Sequence, residues 1–420
     1  MFRVIIFHDY NENRYMAISA ATSFYGLAIM TTITAERDVR AVQLNQPLLF
    51  VLTLATGLAI ANIYYNQPML LLMVQSLGER ATAYVPMATQ IGYAIGLFFI
   101  VPFGDIANRK PLIIGQFLLL AMALLLTGVA PSAGFLVAAS VLLGLAASVA
   151  QQLVPLAAHL SAPEKRGATV GTVMSGLLIG ILLSRTLAGL IAAHWGWRAV
   201  FLSAAPVMLL TALTLALILP QLHNAERLPY RSLIASMFDL WRDLPELRRA
   251  ALTQASLFGA FSAFWTVLAL RLAESPFHIG AAGAGLFGII GAVGVFVAPL
   301  AGRIADRHGP YRVIAAGSAV SLIGWLLLGA WGTLAGMVAG VILLDFAVQS
   351  TLISHQHIIF ALRPEARARI NTLFMTTMFL GAALGSAVGM QGWRIGGWIA
   401  VAAIGMLLSL GAIFTRPRHS

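Results

Sequence analysis

The sequence predicts an all-α membrane protein in which twelve transmembrane helices form two pseudo-symmetric six-helix bundles. Three observations carry this expectation. The 420 residues are 59% hydrophobic and only 10% charged, with a mean hydropathy of +0.87, whereas soluble domains are close to one quarter charged. Apolar runs recur twelve times, each near the ~20 residues that cross a ~30 Å hydrocarbon core as helix. Matching loops recur at one constant spacing of 201 positions, as in a chain built from two like halves.

The elements follow in order. The first 45 residues mix acids and amides with one short apolar stretch. They lack the basic start, clean apolar run and small-residue cleavage site of a signal peptide. We expect a disordered or weakly amphipathic tail over 1–45, with Met30 as a second candidate start. Spans one to six are expected at 46–65, 84–104, 111–130, 133–155, 169–192 and 199–219. A polar, charged stretch at 220–250 then reads as the linker between halves. Spans seven to twelve are expected at 251–271, 280–301, 312–331, 333–354, 373–390 and 395–414, with a short tail at 415–420.

Basic residues set the orientation, because they accumulate in cytoplasmic loops. If span one runs outward, the inner loops hold Arg109, Lys110, Lys165, Arg166 and most of the other bases. The outer loops hold Arg80, Arg198, Arg271 and Arg394. Both termini are expected inside, in a cytoplasmic (inner) membrane. The net charge of +11 is then an orientation signal, with no nucleic-acid partner implied. The absence of cysteine excludes disulfides, thiolate metal sites and thiol nucleophiles.

Two features share the 201-residue spacing: Asp105 with Asp306, and "PEKR" at 163–166 with "PEAR" at 364–367. The loop "GRIADRHGPYR" at 302–312 combines Gly302, Asp306, Arg307 and Gly309 in a pattern that resembles the signature loop of the major facilitator superfamily. Its counterpart "VPFGDIANRK" at 101–110 keeps Asp105, Arg109 and Lys110 but replaces the second glycine by Asn108, a residue that tolerates a left-handed turn. The resemblance spans about residues 46–414. It implies the major facilitator fold, with these loops acting as a cytoplasmic latch between moving helices. Ordinary helix capping and positive-inside charge are the alternative for each base alone.

Small residues spaced four apart let helices approach closely. Gly92 and Gly96, Gly176 and Gly180, and Gly381, Gly385 and Gly389 lie in spans two, five and eleven, and span eight is glycine-rich. The resemblance implies that these helices face the opposite half.

Of fifteen acidic residues, Asp345 alone falls near mid-depth, in "AGVILLDFAVQS" of span ten. A carboxylate there is costly, so such a group faces a cavity or a partner. It is either a structural ion-pair member or a proton site that gains and loses its proton as access alternates. The resemblance implies that spans one, four, seven and ten line a central cavity. Gln349 and Gln356 share the face of Asp345 at i+4 and i+11. His355 and His357 lie near the cytoplasmic end, do not converge on one metal and are expected as interface residues. Arg185 in span five is the only base deep in a span. It can snorkel outward, pair with Asp345 in a proton-coupling couple, or recognise an anionic substrate. Drug/proton antiporters of the resembling family carry an arginine in span four and a Gly-Pro-rich motif in span five. Neither stands here, and Arg185 takes a related role on that reading.

Other candidate substrate contacts are Asn62, Tyr65, Asn66 and Gln67 in "ANIYYNQP", Gln90 and Tyr93 in "TQIGYAIG", and Phe261, Phe264 and Trp265 in "FGAFSAFWT". Together they describe a mostly apolar cavity with a few directional groups, suited to a small amphiphile. An aromatic belt is the alternative for the tyrosines. No phosphate-binding glycine loop, zinc spacing or serine triad is present, so no enzyme, metal or cofactor is expected. The leading expectation is a monomeric secondary transporter in the lipid bilayer, exporting a small molecule in exchange for protons. Proton-coupled or facilitated uptake of a sugar or organic acid is the second, and a non-transporting sensor or scaffold is a third from another class.

Overall fold

A computed structural model of the chain describes residues 44–104, 106–221, 229–291, 307 and 309–417. All but the last two residues of the expected tail, together with Asp105, Gly302 and Asp306, lie outside them. Leu44 and Asn45 are tied down: the Leu44 N–H donates to the Leu160 carbonyl at 3.1 Å. Asn45 caps the first helix by accepting from the Leu48 N–H at 2.9 Å.

Among the described residues every regular element is helical. Nine helical stretches are long and apolar enough to cross a membrane. One of these, Pro364–Thr415, folds back at Gly396 and Gly397, where φ of +59° at Gly397 requires a residue without a side chain. The shorter apolar helices are Gln46–Ala61, which is span one, and Ala281–Gly291, the part of span eight within the described residues, and with them all twelve spans are represented. Short polar residues open several spans as N-caps. Ser132 accepts from the Phe135 N–H ahead of span four, and Thr333 accepts from the Gly336 N–H ahead of span ten.

Neighbour relations repeat between the halves. Span one crosses five as seven crosses eleven, span two lies on four as eight lies on ten, and three pairs with six as nine pairs with twelve. The halves meet where span five touches eight and span two touches eleven, two contacts that a two-fold exchange of halves interconverts. Both "PE" sequences form 3-10 turns, Pro163–Lys165 and Pro364–Ala366, that open long helices.

Spans two, five, eight and eleven face the opposite half as expected, but most of their glycines do not make that contact. Those of spans two, five and eleven pack chiefly within their own half. A Cβ at Gly180 would meet the Gly57 backbone, and one at Gly385 would meet the Gly259 backbone. Close approach between the halves belongs instead to Gly189, Gly285 and Gly288, where spans five and eight meet.

The stretch expected as linker contains an amphipathic helix, Tyr230–Asp243. Leu233, Met237 and Leu240 are its buried residues, and Met237 and Leu240 share a core cluster with Leu247, Ile370 and Phe374. Its Tyr230 hydroxyl donates to the Phe99 carbonyl at 2.8 Å, so this helix touches both halves. Around the bundle, Leu217, Ile395 and Phe414 are three-quarters exposed, the pattern of side chains that face hydrocarbon.

Candidate functional site

Between the halves lies a cavity of about 410 Å³, within the range that holds a drug-sized ligand. Tyr64, Arg185 and Asp345 border it at one extreme, and Gln356, Phe360 and Asn371 lie on its wall towards the end of the molecule that bears the Lys165 and Arg363 turns. We call that the basic end. The opposite end is sealed by packing of Leu70, Ala83 and Met390 with Leu270 and Trp393, and the Tyr84 hydroxyl donates to Gln391 there at 3.3 Å.

The closed extreme of the cavity is built from both halves. Arg185 is 4% exposed and so does not snorkel. Its Nε donates to Gln67 Oε1 at 2.8 Å. Its guanidinium lies 4.6 Å from the Tyr64 ring centroid and 4.0 Å from that of Trp265, positions suited to cation–π attraction. Nη2 is buried without a partner. Asp345, 7% exposed, makes no hydrogen bond to the described residues, and its Oδ2 is buried without a partner. Arg185 and Asp345 attract across the site but form no ion pair within 4 Å.

Glycine makes room for this arrangement. Above Gly291 the position of a Cβ would stand 3.1 Å from Asp345 Oδ2 and 3.4 Å from Trp265 Cζ2. Above Gly288 it would stand 3.0 Å from Arg185 Cβ. The acid, the indole and the base are thus gathered along one face of span eight.

The remaining candidates divide. Gln349, Gln356 and Phe261 line the cavity, and Phe261 stacks on Phe258 with ring centroids 5.5 Å apart. Gln67 and Trp265 sit just beyond Arg185 as its partners. Asn62 does not line the cavity, because its amide donates back to Leu58 and Ala59 and reaches Met208. Asn66 instead bonds Thr89. Tyr65 is partly buried against the core, and Phe264 is buried among Trp265, Trp325 and Trp398. Tyr93 stands behind the wall, accepting from Gln151 Nε2 at 3.1 Å with its ring against Phe379.

Gln90 is a cross-link between halves. Its amide donates to Ser262 at 2.7 Å and accepts from Ser386 at 3.0 Å, while Thr266 donates to Ser386 at 2.9 Å. His355 lies between helices of the second half: it is fully buried, with Nδ1 3.0 Å from Gln254 Oε1 and its ring beside Phe374. His357 is exposed. Wall residues that the sequence did not single out are Gln151, Asn371, Met375 and Phe379. The Gln151–Gln152 pair inside an apolar run was the available signal.

At the basic end, Arg109 Nε donates to the Gly104 carbonyl at 3.1 Å. Gly309 has φ of +85°, the left-handed conformation expected of a signature-loop glycine. Asn108 corrects the matching expectation: its φ is −63°, and its side chain caps the next helix by accepting from the Lys110 N–H at 3.2 Å. Asn thus replaces a turn by a cap. Arg307 is exposed.

Known proteins are similar to this chain in sequence and in fold. The family model of the Major Facilitator Superfamily matches residues 52–385. The uncharacterized transporter YgaY of Escherichia coli O157:H7 is 40% identical over 372 residues, covering 88% of this chain and 94% of its own. The probable transporter SCO4007 of Streptomyces coelicolor is 35% identical, covering 87% and 86%. The multidrug resistance protein MdtG of Enterobacter lignolyticus is 27% identical over 61% and 64%. Among solved structures, the nucleoside transporter NupG matches with a TM-score of 0.69 at 14% identity, over 87% of this chain and 97% of its own. A bacterial homolog of human Spinster, in an inward-facing and occupied conformation, matches with 0.68 at 15% identity, over 88% and 93%. The chain therefore belongs to the Major Facilitator Superfamily and is a multi-pass membrane transporter, not an enzyme.

Proposed function

We propose that the protein is a proton-coupled secondary transporter of the cytoplasmic (inner) membrane that exports a small organic compound by alternating access. The observation that carries this reading is Asp345, an unpartnered carboxyl bordering the cavity at its closed extreme. A carboxyl held there can release its proton only to the side that the cavity faces. Arg185 borders the same end of the cavity without a direct pair to Asp345, so proton occupancy and substrate occupancy are coupled through one small volume. The basic loops favour both termini inside, which makes the present conformer open to the cytoplasm. Rocking of 46–219 against 251–414, with 220–250 joining them, would then move the opening to the other face. The loops at Asp105, Arg109 and Lys110, and at Gly302, Asp306, Arg307 and Gly309, would latch the cytoplasmic side in the opposite state. The drug-resistance relatives support export over uptake.

Proteoliposomes carrying an internal pH dye test this reading. The intact chain should show compound-dependent proton movement from a panel of drugs, sugars and metabolites, and Asp345→Asn should show none. Compound movement without protons, or equal proton movement by both proteins, sinks it.

A further inference from the structure

The two charged groups at the closed extreme define the charge of the ligand that fits there. The site holds one base and one acid, both more than nine-tenths buried, both bordering the same cavity and neither paired with the other. Arg185 has five N–H donors, and among the described residues only its Nε makes a hydrogen bond. Its Nη2 and Asp345 Oδ2 are buried with no partner. Unsatisfied buried polar atoms are costly, and a ligand relieves both only if it brings an acceptor to the guanidinium and a donor to the carboxylate. A simple cation answers Asp345 and faces the uncompensated charge of Arg185. A simple anion answers Arg185 and faces Asp345.

Next to this charged end the wall is aromatic and soft: Phe258 and Phe261 stacked together, Phe379 beside them, then Met174, Met375 and Met378. Rings offer flat faces to a flat apolar group, and methionine adapts to its outline. Amides of Gln349 and Gln356 are spaced along the remaining wall.

We infer that the ligand is an amphipathic zwitterion, an α-amino-acid-like head of ammonium and carboxylate carrying a bulky apolar, aromatic-sized tail. The carboxylate docks on Arg185 and the ammonium on Asp345, and the tail lies among Phe258, Phe261 and Phe379. This inference rests on the proposed role of the cavity as the transport site and adds the charge pattern of what it carries. Exchange for protons follows naturally, because a protonated Asp345 no longer attracts the ammonium.

Equilibrium dialysis of the purified full chain at pH 7.5 with three related probes tests it. Phenylalanine carries both charges, phenethylamine lacks the carboxylate and 3-phenylpropanoate lacks the ammonium. A site built to bond a group rejects the analogue lacking it, so phenylalanine should bind at least about tenfold more tightly than either. Arg185→Gln should bring phenylalanine down to the level of phenethylamine, and Asp345→Asn to that of 3-phenylpropanoate. The three probes on the intact chain decide the matter even if a variant fails to fold. An analogue that binds as tightly as phenylalanine, or binding of none of the three, overturns the inference. If an unrelated compound still moves protons through Asp345, the transport reading stands while the zwitterion inference falls. If phenylalanine binds with the stated preference but no protons move, the reverse holds.

Discussion

The guanidinium of Arg185, in span five of the first half, rests 4.0 Å from the centroid of the Trp265 ring, in span seven of the second. A contact that crosses the two halves at the closed extreme of the cavity holds that end shut. Cation–π attraction of a desolvated pair amounts to about 0.5–2 kcal/mol, enough to shift a near-balanced conformational equilibrium several-fold. Trp265→Leu should therefore open the sealed end more often. The chain has no cysteine, so a single cysteine at Met390, 1% exposed within the seal, reports access directly. Its rate of reaction with a membrane-impermeant maleimide should rise several-fold in the Trp265→Leu background, and an unchanged rate would remove Trp265 from the gate.

Gln90 and Gln349 are both amides of the expected substrate set, and the structure separates them. Gln90 joins Ser262 and Ser386 across the halves, while Gln349 borders the cavity. Gln90→Ala should lower thermal stability by about 1–2 kcal/mol, since each lost hydrogen bond contributes about 0.5–1.5 kcal/mol. It should also speed labelling of the Met390 cysteine. Gln349→Ala should leave the melting temperature alone and weaken substrate binding. Opposite assignments of the two phenotypes would show that Gln90 contacts substrate in a conformer other than this one.

The fold was legible because hydropathy periods and loop charge are properties of each span by itself. Twelve runs and one spacing of 201 positions are enough to lay out two like halves. Asp345 was legible for the same reason, as the single acid in an apolar run. Partners are a different matter. Whether Asn62 faces the cavity or Met208 depends on how span one is rotated against span six, and a span that is apolar all round carries no amphipathic stripe to reveal that angle. Gln90 failed likewise: it is polar, it is satisfied by neighbours from distant spans, and no local pattern announces those neighbours. The glycines singled out in spans two, five and eleven are close-packing positions whose targets lie within their own halves, while Gly285 and Gly288 of span eight pack across them. Asn108 shows a subtler limit, since Asn serves both left-handed turns and N-caps, and only the backbone chooses between them.

Gly385 has room for no side chain, because a Cβ would meet the backbone of Gly259 where spans seven and eleven cross. Gly385→Ala must push two helices apart, and overpacking of this kind costs about 1–3 kcal/mol. Gly171, in span five, has nothing within 4 Å of the same position. Gly171→Ala should be neutral or stabilising by up to about 1 kcal/mol through helix propensity. Melting temperatures in one detergent compare the pair. Equal values for both variants would mean that the crossing relaxes freely, and the tight seven–eleven contact would lose its structural significance.

The linker helix offers a contrast between two kinds of contact. Arg363 and Asp243 approach at 3.7 Å with side chains 44% and 54% exposed, and such a pair in solvent contributes at most about 1 kcal/mol. Tyr230 does more: its hydroxyl bonds the Phe99 carbonyl at 2.8 Å, and its ring meets Phe103 edge-on with centroids 5.7 Å apart. These contacts attach the helix to the first half, while Met237 and Leu240 attach it to the second. Asp243→Ala should thus leave both stability and transport rate near those of the intact chain. Tyr230→Ala should release the helix from span two, and limited proteolysis within 222–228 should accelerate. If Asp243→Ala accelerates cleavage more than Tyr230→Ala, the charged pair rather than the tyrosine anchors the linker.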